Sequence, residues 1–119
     1  MFIEALRNLV EQTPGGIGAV LMGYDGIAIE QYALPVDDVD LGLVAVEYAN
    51  VLKEIKKATD ILRTGELDEV SILTGGYQVL IRTLTPDYFL GLTLRRNGNA
   101  GKGRFLLMRE ASGLRALLS

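Results

Sequence analysis

The segment RRNGNAGKGR, Arg95 to Arg104, sets glycines 98, 101 and 103 around Lys102 in a loop that leaves a strand and opens a helix. That is the setting in which backbone N–H groups cradle a phosphate. A P-loop, G-x-x-x-x-G-K-[ST], counted back from Gly101 and Lys102, needs a glycine where Arg96 stands and a hydroxyl where Gly103 stands. The dinucleotide fingerprint spaces its glycines by two and then three; these run three and then two. Phosphate loops of both classes also follow strands of parallel sheets, whereas this one leaves the last strand of a hairpin-linked meander. Asn97 and Gly98 therefore read as a strand exit and Asn99 as the N-cap of a final helix, with at most a weak anion affinity at that helix start.

Asp37, Asp38 and Asp40 in ALPVDDVD are the other cluster with chemistry in it. They could hold a divalent cation, but neither the glycine nor the terminal glutamate of an EF-hand follows, and Asp37 or Asp38 serves better as a helix N-cap. The chain has no cysteine and no histidine, which removes disulfides, the usual zinc and copper sites, histidine general bases and the common serine and cysteine triads. No catalytic residue, cofactor or metal ligand is assigned from the sequence.

Phe2, Leu6 and Leu9 recur at helical spacing until TPGG at Thr13–Gly16, which ends a first helix. IGAVLM (Ile17–Met22) and IAIEQY (Ile27–Tyr32) flank GYDG, whose Asp-Gly pair signals a β-hairpin. A second helix is predicted from about Val39 to Arg63, closed by Gly65 as a C-terminal cap. At 100° per residue its apolar positions cover an arc of about 180°, with Leu43, Val46 and Ile61 outside even that. One sheet face cannot cover so broad a surface, so the helix is expected to pack on its own sheet with one side and on another molecule with the other.

EVSILT (Glu69–Thr74), YQVLIRTL (Tyr77–Leu84) and YFLGLTLR (Tyr88–Arg95) follow through GG and TPD, short links that make an antiparallel meander. Phe105, Leu106, Leu107, Ala111, Leu114 and Leu118 give a third helix its apolar stripe. The order is αββαβββα in one domain spanning residues 1–119.

No apolar run approaches the ~18 residues that cross a bilayer, and the N-terminal MFIEALRNLVEQ carries two acids in place of a signal peptide's basic start, so a cytoplasmic protein is expected, with no membrane insertion. The net charge of −3 is uneven: from Gly91 onward six Lys/Arg face one acid, +5, which leaves −8 on residues 1–90. Phe105 is the only aromatic in the basic segment, so stacking on single-stranded nucleic acid has little to work with and no nucleic acid partner is expected.

The chain, with GIGAVLMGYDGIAIE in its first hairpin, RTGELDEVSI after its long helix and NAGKGRFLL opening its last, resembles the dynein light chain roadblock superfamily, which includes bacterial MglB-type regulators. The resemblance implies a profilin-like α+β fold: a three-layer α/β/α sandwich around an antiparallel five-stranded sheet in the order 2-1-5-4-3, with the second helix on one face and the first and third on the other. It implies a homodimer in which strand 3 pairs with its copy and the second helices lie side by side. That would occupy an edge proteins seldom leave bare, and it agrees with the surplus on the second helix. The implied interface comprises Leu43, Val46, Glu47, Asn50, Val51 and Glu54 with Glu69, Val70, Ser71, Ile72, Leu73 and Thr74. The implied function is noncatalytic: binding and regulating a small Ras-like GTPase, including stimulation of its hydrolysis. Two alternatives stay open, a structural adaptor in a motor or signalling assembly and a small-molecule or nucleotide binder using the glycine loop. Arg95, Arg96 and Lys102 are not assigned as an arginine finger.

Overall fold

The computed structural model describes residues 1–36 and 39–118. The elements run α1 (Phe2–Gln12), β1 (Gly16–Gly23), β2 (Ala28–Ala33), α2 (Leu41–Leu62), β3 (Glu69–Leu73), β4 (Tyr77–Thr83), β5 (Tyr88–Arg95) and α3 (Ala100–Leu118). The strands form one sheet in the order β2-β1-β5-β4-β3, every neighbour antiparallel, as the resemblance implied.

Alternation along the strands sorts the side chains into two layers. On β5, Leu90, Leu92 and Leu94 join Leu6, Leu9, Leu106 and Leu107 of α1 and α3 in one core. Phe89 points the other way, and with Val79 and Ile81 of β4 it meets Ala45, Ala49 and Leu52 of α2. Central strands read as nearly continuous apolar runs because both of their faces are covered.

Local chemistry sets the element boundaries, in places differently from the sequence reading. The N-cap of α2 is Asp40, whose carboxylate accepts from the Leu43 N–H at 3.1 Å. The expected caps Asp37 and Asp38 lie outside the described residues, which include only Asp40 of the three-aspartate cluster. At the other end Arg63, not Gly65, takes the left-handed cap position at φ 54°, and its N–H and that of Thr64 reach back to Asp60 O and Thr59 O. Gly65 also has positive φ, but two residues further on. Strand β3 stops at Leu73: the Thr74 N–H and hydroxyl both bond Tyr77 O, which puts Thr74 in the hairpin turn.

Helix α3 begins at Ala100, and Phe105 is 56% exposed, so the apolar stripe of this helix starts at Leu106. Asn99 is its N-cap as expected, its side chain accepting from the Lys102 N–H at 3.0 Å. Asn99→Ala is expected to cost about 1 kcal/mol, read as a melting temperature lower by roughly 3–6 °C. Gly103 then lets α3 lie close on the sheet, because a Cβ there would stand 3.1 Å from both Leu80 and Leu92. Among the described residues no helix is long and apolar enough to cross a membrane.

Candidate interaction surface

The RRNGNAGKGR loop is built as a structural lock. The N–H of Gly98 bonds Arg95 O, that of Asn99 bonds Pro14 O, and those of Lys102 and Gly103 bond the side chain and carbonyl of Asn99. The side-chain amide of Gln78 donates to the carbonyls of Arg95, Arg96 and Gly98, while Arg96 Nη1 donates to Thr74 O. A Cβ on Gly98 would meet Pro14 O at 2.8 Å, so glycine is there to let the two loops touch. The N–H groups of Gly98, Asn99, Lys102 and Gly103 are already committed, and the guanidinium of Arg96 is held in a structural bond.

The sheet does leave a surface open. Strand β3 pairs with β4 alone. The bonds from Thr74 N to Tyr77 O and from Thr83 N to Asp68 O bracket the ladder, so Val70 and Ile72 exchange hydrogen bonds with β4. By alternation the N–H and C=O groups of Glu69, Ser71 and Leu73 point to the free edge. The side chains alternate as well. Val70 and Ile72 are half-buried against the α2 core, while Glu69, Ser71 and Leu73 face the α3 side, where Glu69 pairs with Arg104 and Leu73 is 61% exposed.

Helix α2 carries the surplus read from its sequence: Leu43, Val46, Val51, Ile61 and Leu62 are exposed. Val44 and Tyr48 are half-buried on one flank of the helix and pack, like Val70 and Ile72 of β3, against the core beneath α2. At 100° per residue Val51 follows Tyr48 and Val44 on this flank. Glu47, Asn50 and Glu54 occupy the outward crest, with Glu54 bonded to Lys57. Leu43 is exposed near the crest, and Val46 leans to the opposite flank, 3.9 Å from where a Cβ on Gly26 would sit in the β1–β2 turn. Val44 and Tyr48 extend the surface beyond the residues named from sequence.

One polar feature had no signal in the spacing. Lys56 of α2 reaches over the β1–β2 turn, its Nζ 3.9 Å from the centroid of the Tyr24 ring and 2.8 Å from Pro86 O. Tyr24 is 9% exposed, its ring lies against Phe89, and its hydroxyl has no partner among the described residues; burial pushes its pKa up to about 12. A phenol that resists ionisation when folded but ionises near 10 when unfolded stabilises the fold fully below pH 10 and loses that contribution as pH rises toward 12. Wild-type stability is expected to fall by roughly 2–3 kcal/mol across that window. In denaturant titrations at several pH values Tyr24→Phe should remove that component of the fall; an identical pH dependence in the two proteins would contradict the assignment.

A three-layer sandwich whose sheet is left open at β3, beside an apolar flank of its covering helix, defines a recognition module. No family model matches the sequence, and no curated protein does. Solved structures do. MglC from Myxococcus xanthus is 37% identical over 97% of each chain, with a TM-score of 0.70. A Roadblock/LC7 domain from Streptomyces avermitilis superposes with a TM-score of 0.84 at 17% identity, covering 97% of this chain and 95% of that one. The gliding protein MglB from Thermus thermophilus gives 0.84 at 16% identity, over 96% of this chain and 85% of its own. The chain belongs to the roadblock superfamily, as a regulatory or adaptor module of that family.

Proposed function

We propose that the protein is a noncatalytic cytoplasmic homodimer that binds a small Ras-like GTPase and regulates its activity. The observation that carries the dimer is the row of outward-facing backbone groups on β3 beside the half-buried Val70 and Ile72 and the apolar flank of α2. Two β3 edges brought together across a twofold axis satisfy each other's backbone and let the α2 flanks pack, an isologous contact that closes at two copies. The total area needed for a stable pair, ~1,600 Å², is within reach of one strand and one 22-residue helix on each side.

Regulation follows from the resemblance to roadblock proteins that act on such GTPases. A rigid dimer surface works by biasing the partner's switch loops and needs no inserted side chain. A neighbouring MglB structure with a tetrameric arrangement shows this fold in a higher assembly. The test mixes the purified protein with a candidate Ras-like GTPase and measures binding and phosphate release. A complex with a changed hydrolysis rate supports the reading. Binding with no change in rate points to the adaptor role, and absence of binding removes the GTPase.

A further inference from the structure

The β1–β2 and β4–β5 turns meet at one end of the sheet, joined by the bond from the Tyr24 N–H to Asp87 O at 3.1 Å. Between these turns and the second half of α2 lies an open hollow of about 490 Å³. Its walls carry opposite charge. Lys53, Lys56 and Lys57 stand on the helix side, brought to one face by their spacing of three and four residues. Asp25 and Asp87 stand on the turn side, and Asp60 lies one helical turn beyond the lysines. The side chains of Lys53 and Asp87 have no partner among the described residues.

The floor adds a second signal. Tyr24 and Lys56 line both this hollow and a neighbouring one of about 400 Å³, so the Lys56 side chain borders open space in each. The Tyr24 hydroxyl is sealed from solvent without a hydrogen-bond partner, although phenylalanine would set the same ring against Phe89 with no desolvation cost. The Lys56 ammonium rests 3.9 Å from the centroid of that ring, and among the described residues its hydrogen bond is to one neutral carbonyl, Pro86 O, at 2.8 Å. A carboxylate is the stronger acceptor for an ammonium and can take it from that carbonyl.

The mixed charge decides the class of ligand. A simple anion drawn to the lysines meets three aspartates, and a simple cation drawn to the aspartates meets three lysines. A molecule with both charges complements both walls. Because the walls belong to different elements across the hollow, the two charges must stand apart.

We propose that this hollow binds a small zwitterion with a carboxylate at one end and an ammonium at the other, the charge pattern of an ω-amino acid or a short peptide. The carboxylate draws the Lys56 ammonium off Pro86 O and accepts a hydrogen bond from the Tyr24 hydroxyl beneath it. The ammonium lies between Asp25 and Asp87. At 100° per residue Lys53 and Lys57 share the flank of Val46, turned away from Val44 and Tyr48, so the hollow stays open in the proposed dimer. The site needs neither the dimer nor a GTPase, and its test is independent of both.

The probes are 6-aminohexanoate and triglycine, with hexanoate and hexylamine as counterparts that keep one charge each. They are titrated into the full chain at constant ionic strength and followed by amide NMR shifts. Saturable shifts clustered at Gly23, Asp25 and Lys56 are expected from at least one zwitterion, and hexanoate and hexylamine should each bind at least about fivefold more weakly. The tighter zwitterion shows whether hydrocarbon or peptide joins the charges. Lys56→Met and Tyr24→Phe should each weaken it by about tenfold or more, the range for one lost hydrogen bond to a charged group. Asp87→Asn, an exposed change, should weaken it by about two- to fivefold. If Lys56→Met fails to fold, Tyr24→Phe and Asp87→Asn carry the test. The proposal is overturned by the absence of saturation at millimolar concentrations of both zwitterions, by shifts confined to other surfaces, by equal binding of hexanoate or hexylamine, or by an unchanged affinity in Tyr24→Phe.

Discussion

Ser71→Pro is expected to convert the proposed dimer to a monomer without unfolding it. Ser71 is the middle residue of β3, and its N–H points away from β4 into the open edge. Proline removes that donor and puts a ring where the partner strand would lie, yet the ladder to β4, carried by Val70 and Ile72, keeps its bonds. In a twofold pair the substitution acts twice, so two hydrogen bonds and close strand contact go together. The dissociation constant should rise by at least about tenfold to a hundredfold, judged from the net worth of two backbone hydrogen bonds alone. Sedimentation at low micromolar concentration would show single subunits, with the far-ultraviolet circular dichroism of the parent. A variant that sediments as the wild type does would place the contact elsewhere.

Leu92→Ala has the largest expected effect on stability. Leu92 is fully buried on β5, the central strand, in the core shared with α1 and α3, and Gly103 brings the backbone of α3 down onto it. Truncation loses the transfer free energy of the side chain and leaves a cavity that strands bonded on both sides cannot collapse to fill. The expected cost is about 2–5 kcal/mol, a large part of the roughly 5–15 kcal/mol that holds a typical domain together. Urea denaturation should show a lower midpoint with an unchanged slope. A loss below about 1 kcal/mol would mean that the helix layer repacks over the site far more freely than this closeness allows.

Most of the fold is written in local pattern. Asp25-Gly26 announces the first hairpin and Gly75-Gly76 the second, and on β4 Val79 and Ile81 enter the α2-side core while Gln78 and Arg82 stay half-exposed. Strand order is different in kind. That β5 lies between β1 and β4 is a long-range fact that came from resemblance, because no periodicity encodes which strands meet.

Boundaries were misread where several residues could do one job. Any of three nearby aspartates can cap α2, and Asp40 does; a left-handed cap favours glycine, yet Arg63 takes it and leaves Gly65 beyond the helix. The start of α3 was legible in its Asn99 cap, but Phe105, which is exposed, was misplaced in the apolar stripe. The open edge of β3 depends on that same strand order. The Lys56–Tyr24 contact joins residues 32 positions apart, and Gly18 meets Thr93 only once β1 and β5 are in register. Neither leaves a mark in spacing along the chain.

The decisive measurement is the mass of the unmodified protein in solution, by sedimentation velocity at low micromolar concentration. Pairing through β3 and α2 requires a species of twice 12.9 kDa that persists on dilution. A single species of 12.9 kDa would leave the exposed edge and the apolar flank of α2 without the partner on which the proposed function rests.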